Sequence, residues 1–446
     1  MSTDPIYLES WIHQIAGSVL GTAGPITRAS LEAYQLLRLR QTVQRAFEKS
    51  SFYREHFKKA GIAPDQIRSF SDLERIPFTE PQHLSEMPYR LLCVSQAEVA
   101  RPHSFITSGT TGPPKKVFWS RGDLERIIEF MAAGIATVAT DADVVQILLA
   151  DGRPYSQADL LFRGVKKIGA LPVLCRMDLT AKELLEQIRS SGSTVLFGYA
   201  GHLFRISREL AQAGDLRSEG IKVLFLAGEY LPDAARRQLE DVWDCRVHTH
   251  YGLTEMGLGV AVECNARAGY HFNEAGLLLE VTDPATGEPV PAGEEGELVF
   301  TTLTREAMPL IRYRTHDISR RIPEPCPCGA DTLLRFGSVR KRLESIFRLD
   351  GGDELYPALF DDALFEIPGL VDYSAQISRQ RDRHHLELQA EMDSPDLLPD
   401  VYRKLLSMPV IARGIENGTI GEPAVVLARP GELARSGKKR LVVRTW

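Results

Sequence analysis

Between residues 140 and 255, five short apolar runs are each flanked by turn-forming residues: Val144–Ala150, Leu171–Cys175, Thr194–Gly198, Val223–Ala227 and Val247–Tyr251. Helical segments such as Ala181–Ser190 and Ala234–Val242 separate them. This strand–helix alternation predicts an α/β fold whose parallel sheet is covered by helices on both faces. Ligands of such sheets lie beyond the carboxyl ends of the strands. Residues 259–325 change character: Leu277–Thr282 and Gly296–Thr302 are separated by strings of turn formers, the pattern of antiparallel strands in a small barrel. Upstream, residues 30–50 read as an amphipathic helix capped by Ser30, with Leu36, Leu39, Val43 and Phe47 on one stripe. After Arg340 a compact mixed segment has hairpin signals at Asp350-Gly351-Gly352 and near Arg379–Arg383.

One loop in this frame is rich in ligand chemistry. Thr107-Ser108-Gly109-Thr110-Thr111-Gly112-Pro113-Pro114-Lys115-Lys116 brings together glycines, hydroxyls and lysines. Glycines let backbone N–H groups approach an anion, hydroxyls add donors, and the lysines neutralise charge. The composition is that of a polyphosphate cradle, and its spacing departs from the G-x-x-x-x-G-K-[ST] P-loop. Tyr251-Gly252-Leu253-Thr254-Glu255 directly follows a strand. A carboxylate beside phosphates suits Mg²⁺, a threonine hydroxyl can bond a phosphate, and an aromatic ring can stack on a base. Taken singly, each stretch would also serve as an ordinary surface turn.

The bulk numbers exclude some classes. A chain of 446 residues can hold two or three domains. A net charge of −6 argues against nucleic-acid binding, which needs a basic face. No signal peptide or membrane-length apolar run is visible, so a cytoplasmic protein without a membrane partner is expected. The six cysteines of such a chain are expected to be reduced or metal-bound.

The loop at 107–116 and the Y-G-x-T-E stretch at 251–255 together resemble the two signatures of the adenylate-forming superfamily of acyl-CoA synthetases, luciferases and adenylation domains. Ser51-Phe52-Tyr53-Arg54-Glu55 and Arg312-Tyr313-Arg314-Thr315-His316-Asp317 are similar to segments of its phenylacetate–CoA ligase branch. The resemblance implies that Thr107 to Gly112 and Lys115 hold the phosphates of ATP. It also implies that Tyr251 stacks on adenine, Thr254 contacts phosphate and Glu255 holds Mg²⁺. Ala227-Gly228-Glu229 is similar to the family's G-A-E segment, so Gly228 and Glu229 line the adenine and acyl sites. Asp317 and Arg342 are expected at the ribose. Lys438, after Ser436-Gly437, is similar to the carboxy-terminal catalytic lysine. Lys341-Arg342-Leu343-Glu344-Ser345 stands where the family has a G-R-x-D-D hinge, with the glycine replaced by Lys341 and the two acidic positions by Glu344 and Ser345.

The implied organisation is a large domain at 1–340, with a helical prelude to about 95 and a barrel-like part at about 259–330, and a small rotating α+β domain at 341–446. The implied chemistry is activation of a carboxylic acid, aryl or arylacetic, to an acyl-adenylate, followed by transfer to coenzyme A. Loading of a carrier-protein thiol or an amine, and a non-catalytic nucleotide sensor, stay open as alternatives, as does a homodimer.

Cys264, His271 and the Cys326-Pro327-Cys328 pair would supply a closed Cys₃His structural zinc site, and the segments around them resemble that same branch. His248 and His250 share one face of their strand and are expected to line or flank the acyl pocket without a catalytic role. Arg153 could meet a second polar group on the substrate or be a surface residue.

Overall fold

The computed structural model describes residues 6–105, 114–149, 152–380, 383–433 and 441–444. The chain forms two compact units, Met1–Met177 with His248–Ser338, and Asp178–Val247 with Val339–Trp446.

In the first unit, the helices Tyr7–Leu20, Arg28–Lys49 and Ser51–Lys59 lead the chain. Thr27, not Ser30, caps the second of them, its Oγ1 accepting from the Ser30 N–H at 3.2 Å. Either hydroxyl residue could cap, and the earlier one adds most of a turn of helix. The apolar stripe is buried at Leu31, Leu39 and Val43, while Tyr34, Gln35 and Thr42 on the same side carry polar groups into the core. They satisfy backbone carbonyls that would otherwise be buried and unpaired: Tyr34 donates to Ala275 O, Gln35 to Glu274 O and Thr42 to Leu303 O. The aromatic cluster after Ser50 packs: Phe52, Tyr53 and Phe57 are buried, and the Tyr53 hydroxyl accepts from the Ile311 N–H at 2.9 Å.

Strands Arg101–Phe105 and Lys115–Trp119 pair antiparallel with Phe105 opposite Lys115, so the two ends of the intervening stretch are neighbours. Ser120 then caps the helix Arg121–Ile135 in a reciprocal box with Asp123. The Asp123 carboxylate also accepts from the N–H groups of Glu306 and Ala307, at 2.7 and 3.0 Å. One buried acid thus fixes both a helix start and a distant loop. Val144–Leu148 and Leu171–Cys175 pair in parallel around the helix Gln157–Lys167. A run of antiparallel strands follows in the spatial order Leu277–Thr282, Glu295–Thr302, Tyr313–Ile322, Arg335–Phe336, Tyr270–Phe272, Ala261–Glu263 and Arg246–Tyr251.

In the second unit, Val195–Tyr199 and Val223–Ala227 pair in parallel, accompanied by helices Ala181–Ser191, Ala200–Ala213 and Asp233–Trp243. A separate four-stranded sheet has the order Ala424–Leu427, Arg383–Met392, Leu370–Gln380, Leu441–Arg444. Polar contacts join these parts: Arg205 pairs with Glu391 and Asp372, Arg208 with Asp393, and the Tyr230 hydroxyl donates to Asp362 at 2.7 Å. No helix among the described residues is long and apolar enough to cross a membrane.

A buried carboxylate is one of the ties between the helical lead and the rest of its unit. Glu274 is fully buried and accepts from Arg28, from Gln35 and from the Leu334 N–H. Burial raises its pKa above the ordinary carboxylate value, and Arg28 works against that rise. Arg28→Ala strips the charge partner and should destabilise by about 3 kcal/mol in urea unfolding at pH 8. The loss shrinks at pH 5, where the buried carboxyl can take up a proton, and Glu274→Gln recovers part of it at pH 8. Equal losses at both pH values would contradict this.

Candidate functional site

Lys115 opens the strand after the phosphate-loop stretch, and Glu255 lies in the turn Thr254–Met256 that follows Arg246–Tyr251. The fold brings them together. Lys115 Nζ lies 3.2 Å from Glu255 Oε1, and the two side chains are only 7% and 6% exposed. Tyr313 completes the contact: its hydroxyl donates to the same Oε1 at 2.8 Å and accepts from Lys115 Nζ at 3.4 Å. Glu255 Oε2 accepts no hydrogen bond from the described residues. A buried ion pair is kept only where its geometry and hydrogen bonding offset desolvation, and this one has a third donor to do so.

Four residues away on the same loop, the Tyr251 hydroxyl donates to Asp317 Oδ2 at 2.6 Å, and Asp317 is fully buried. The Tyr251 ring meets Phe336 edge-on at 5.4 Å. Gly252 between them is obligatory, because a Cβ there would stand 1.9 Å from the Leu258 carbonyl oxygen. That close approach lets the Leu258 N–H reach Leu253 O and the Val260 N–H reach Tyr251 O, folding the turn that presents Thr254 and Glu255. Arg312 and His316, which flank Tyr313 to Thr315, take positive φ values of 49° and 62°. Such a backbone is uncommon for these residue types and is held here by Arg312 bonds to Glu280 and to the Glu74 and Ile76 carbonyls.

Lys115, Tyr251, Thr254, Glu255 and Asp317 thus share one unit. Gly228, Glu229 and Arg342 belong to the other; Gly228 adopts φ 96°, and a Cβ on it would meet the Tyr199 ring at 2.9 Å. Thr107, Ser108, Gly109, Thr110, Thr111, Gly112 and Lys438 lie outside the described residues. His248 is buried, and burial lowers the His250 pKa to about 4, so that imidazole is neutral. Arg153 is exposed.

Two groups near the site had no assignment in the sequence. Tyr313 lies inside the R-Y-R-T-H-D stretch, where the resemblance gives a role to Asp317 alone. Arg305 had no signal at all. It is buried, lies 4.1 Å from the centre of the Trp119 ring, and reaches a backbone oxygen only at 3.5 Å, Met308 O. Burial lowers its pKa to about 10, against the charges of Asp123, Tyr53, Glu255 and Tyr313, so it remains a cation at neutral pH.

A second cluster forms in the same unit. Strands Ala261–Glu263 and Tyr270–Phe272 pair so that Cys264 and His271 converge on Cys326 and Cys328, all four ligand atoms lying within 4.8 Å of one another. Cys264 Sγ lies 3.6 Å from Cys326 Sγ, and Cys328 Sγ lies 3.5 Å from His271 Nε2. A tetrahedron with metal–sulfur bonds of about 2.3 Å and a metal–nitrogen bond of about 2.0 Å has edges of roughly 3.5–3.8 Å, so the donor set fits a zinc ion. The 3.6 Å sulfur separation is far too long for a disulfide. A hydrogen bond from Cys328 pulls the Cys264 thiol down, and burial of His271 is outweighed by its bonds to Cys264 and Cys326, which raise it.

The family described as AMP-binding enzyme matches residues 104–303. A phenylacetate–coenzyme A ligase of Thermus thermophilus is 32% identical over 441 residues, covering 94% of this chain and 97% of that protein. The phenylacetate–coenzyme A ligase of Escherichia coli is 29% identical over 383 residues, 84% of this chain and 86% of that one. Among solved structures, a 2-hydroxyisobutyryl-CoA ligase in the postadenylation state superposes with a TM-score of 0.79 at 22% identity, over 93% of this chain and 89% of that one, which establishes the shared fold. The chain belongs to the phenylacetate–coenzyme A ligase family of adenylate-forming enzymes.

Proposed function

We propose that this protein is an AMP-forming acid–coenzyme A ligase that activates an aryl or arylacetic acid with ATP. One observation carries the reading. The buried pair of Lys115 and Glu255 puts a cation and a carboxylate side by side at the end of the phosphate-loop stretch, and Tyr251, at the end of the strand before Glu255, bonds Asp317 on the strand Tyr313–Ile322. Two relatives, from Thermus thermophilus and Escherichia coli, bear the name of phenylacetate, which guides the choice of acid.

In the first half-reaction an oxygen of the acid's carboxylate attacks the α-phosphorus of ATP. A carboxyl–phosphorus bond forms, the α–β anhydride bond breaks, and pyrophosphate leaves with the electron pair. Lys115 is the cation that follows the phosphate loop, and Lys438 would meet the α-phosphate and the acid, stabilising the charge that builds on phosphorus. Thr254 would donate to the α-phosphate. Tyr251 would carry the adenine and Asp317 the ribose, with Arg342, Gly228 and Glu229 completing the nucleotide and acyl sites. Glu255 suits Mg²⁺, since its Oε2 is not engaged by the described residues and Mg²⁺ favours one or two carboxylates alongside substrate phosphates. That ion would neutralise pyrophosphate as it departs. In the second half-reaction the thiol sulfur of coenzyme A attacks the acyl carbon, loses its proton and expels AMP.

Cys264, His271, Cys326 and Cys328 would hold a structural zinc ion, closed on all four sides and so without a role in bond breaking. Such a site joins the turn after Glu263 to the segment beyond Ile322.

Acid-dependent exchange of labelled pyrophosphate into ATP, screened over aromatic and aliphatic acids, tests the function; no exchange with any acid would overturn it. Lys438→Ala should lower exchange by about 10²–10³-fold, while transfer from supplied acyl-AMP to coenzyme A stays within a few-fold of the parent. Equal loss of both halves would remove the lysine from the adenylation step. Metal analysis of purified protein should give one zinc per chain, and Cys326→Ser/Cys328→Ser should lose it together with a fall in thermal midpoint. Substoichiometric metal in carefully prepared parent protein would end the zinc assignment.

A further inference from the structure

Two polar atoms converge on one oxygen of Glu255, and none of the described residues bonds the other. Lys115 Nζ and the Tyr313 hydroxyl both bond Oε1, at 3.2 and 2.8 Å, and the lysine also bonds the tyrosine oxygen at 3.4 Å. These donors differ in kind. The lysine ammonium sits on a four-carbon stem at the mouth of a strand, directly after the phosphate-loop stretch, and it can swing toward an anion bound there. The tyrosine is rigid. It is only 1% exposed, begins the strand Tyr313–Ile322, and its backbone is fixed by the bond from Thr79 N–H to Arg312 O and that from Arg314 N–H to Thr79 O. The buried Arg305 on the Trp119 ring is a further cation whose charge interacts with Glu255 and Tyr313.

Resting on the function proposed above, we infer that Tyr313 is a positioning residue for the metal-facing carboxylate. In the structure Lys115 neutralises the Glu255 carboxylate and the Tyr313 hydroxyl donates to the same Oε1. When polyphosphate arrives, Lys115 exchanges its carboxylate partner for a phosphate oxygen, and Glu255 would be released to rotate if the lysine were its only anchor. The Tyr313 hydroxyl stays on Oε1 and holds the side chain so that Oε2 continues to face the divalent cation. The exchange costs little because each buried charge moves from one partner of opposite sign to another without standing alone. The residues thus divide their work, with Lys115 the movable donor and Tyr313 the stationary one.

The test uses full-length protein, the non-cleavable analogue α,β-methylene-ATP, and Mn²⁺ as a paramagnetic probe in place of Mg²⁺, read by electron paramagnetic resonance. Tyr313→Phe keeps the ring and removes only the hydroxyl. It should weaken Mn²⁺ in the ternary complex by roughly three- to thirtyfold, the range expected for one hydrogen bond to a charged group. Analogue binding in EDTA should be unchanged, which also certifies a folded site. Lys115→Met should show the converse, with weakened analogue binding and Mn²⁺ affinity at parent level or tighter. Mn²⁺ affinity within 1.5-fold of parent in Tyr313→Phe, or an equal loss in Lys115→Met, overturns the assignment. Parent protein that binds Mn²⁺ and analogue but fails in acid-dependent exchange would count against the proposed reaction alone.

Discussion

The Lys115–Glu255 ion pair, almost out of reach of water, is the contact on which the geometry of the site depends. Taking two such charges out of water costs several kcal/mol per ion before any attraction is counted. The chain offsets that cost with the hydroxyl of Tyr313 and with a further cation, Arg305, buried nearby on an indole face. The three elements that supply these groups are the strand Lys115–Trp119, the turn Thr254–Met256 and the strand Tyr313–Ile322. Held on one carboxylate oxygen, they fix where a phosphate-facing cation and a metal-facing carboxylate stand relative to each other.

The supporting shell repeats the same logic at lower stakes. Asp123 caps a helix and binds the loop at 306–307, which brings Arg305 under Trp119. Glu274 gathers Arg28, Gln35 and the Leu334 N–H, tying the helix Arg28–Lys49 to the segment that follows Cys326 and Cys328. Buried acids therefore act as junctions between stretches hundreds of residues apart. The hydrophobic core supplies most of the stability, and these junctions set the register in which its parts meet.

Much of this was legible in the sequence, and what was legible follows a rule. Leu171–Cys175, Val223–Ala227 and Leu277–Thr282 could be read to the residue because each is an apolar run bounded by turn formers. The Y-G-x-T-E stretch was legible because it directly follows a strand and pairs with the loop at 107–116 in one family's signatures, and the zinc-type donor set because cysteines one residue apart have few other uses. Long-range pairings were not legible. Lys115 and Glu255 are 140 residues apart and Tyr313 another 58 beyond, and nothing local to any of them announces the other two. Thr27 displaced Ser30 as helix cap because two hydroxyl residues three apart offer the same local chemistry. The grouping of 178–247 with 339–446 rests on contacts such as Arg205 with Glu391, separated by 186 residues, and composition carries no trace of it.

If the charge cluster serves adenylation, the acid's own oxygen must become bonded to the α-phosphorus. The most direct measurement follows that atom: the enzyme turns over ATP, coenzyme A and an arylacetic acid labelled with ¹⁸O in both carboxyl oxygens, and the AMP is analysed by mass spectrometry. One ¹⁸O per AMP is the result this account requires. Unlabelled AMP, with the heavy oxygen found in inorganic phosphate or pyrophosphate, would contradict it.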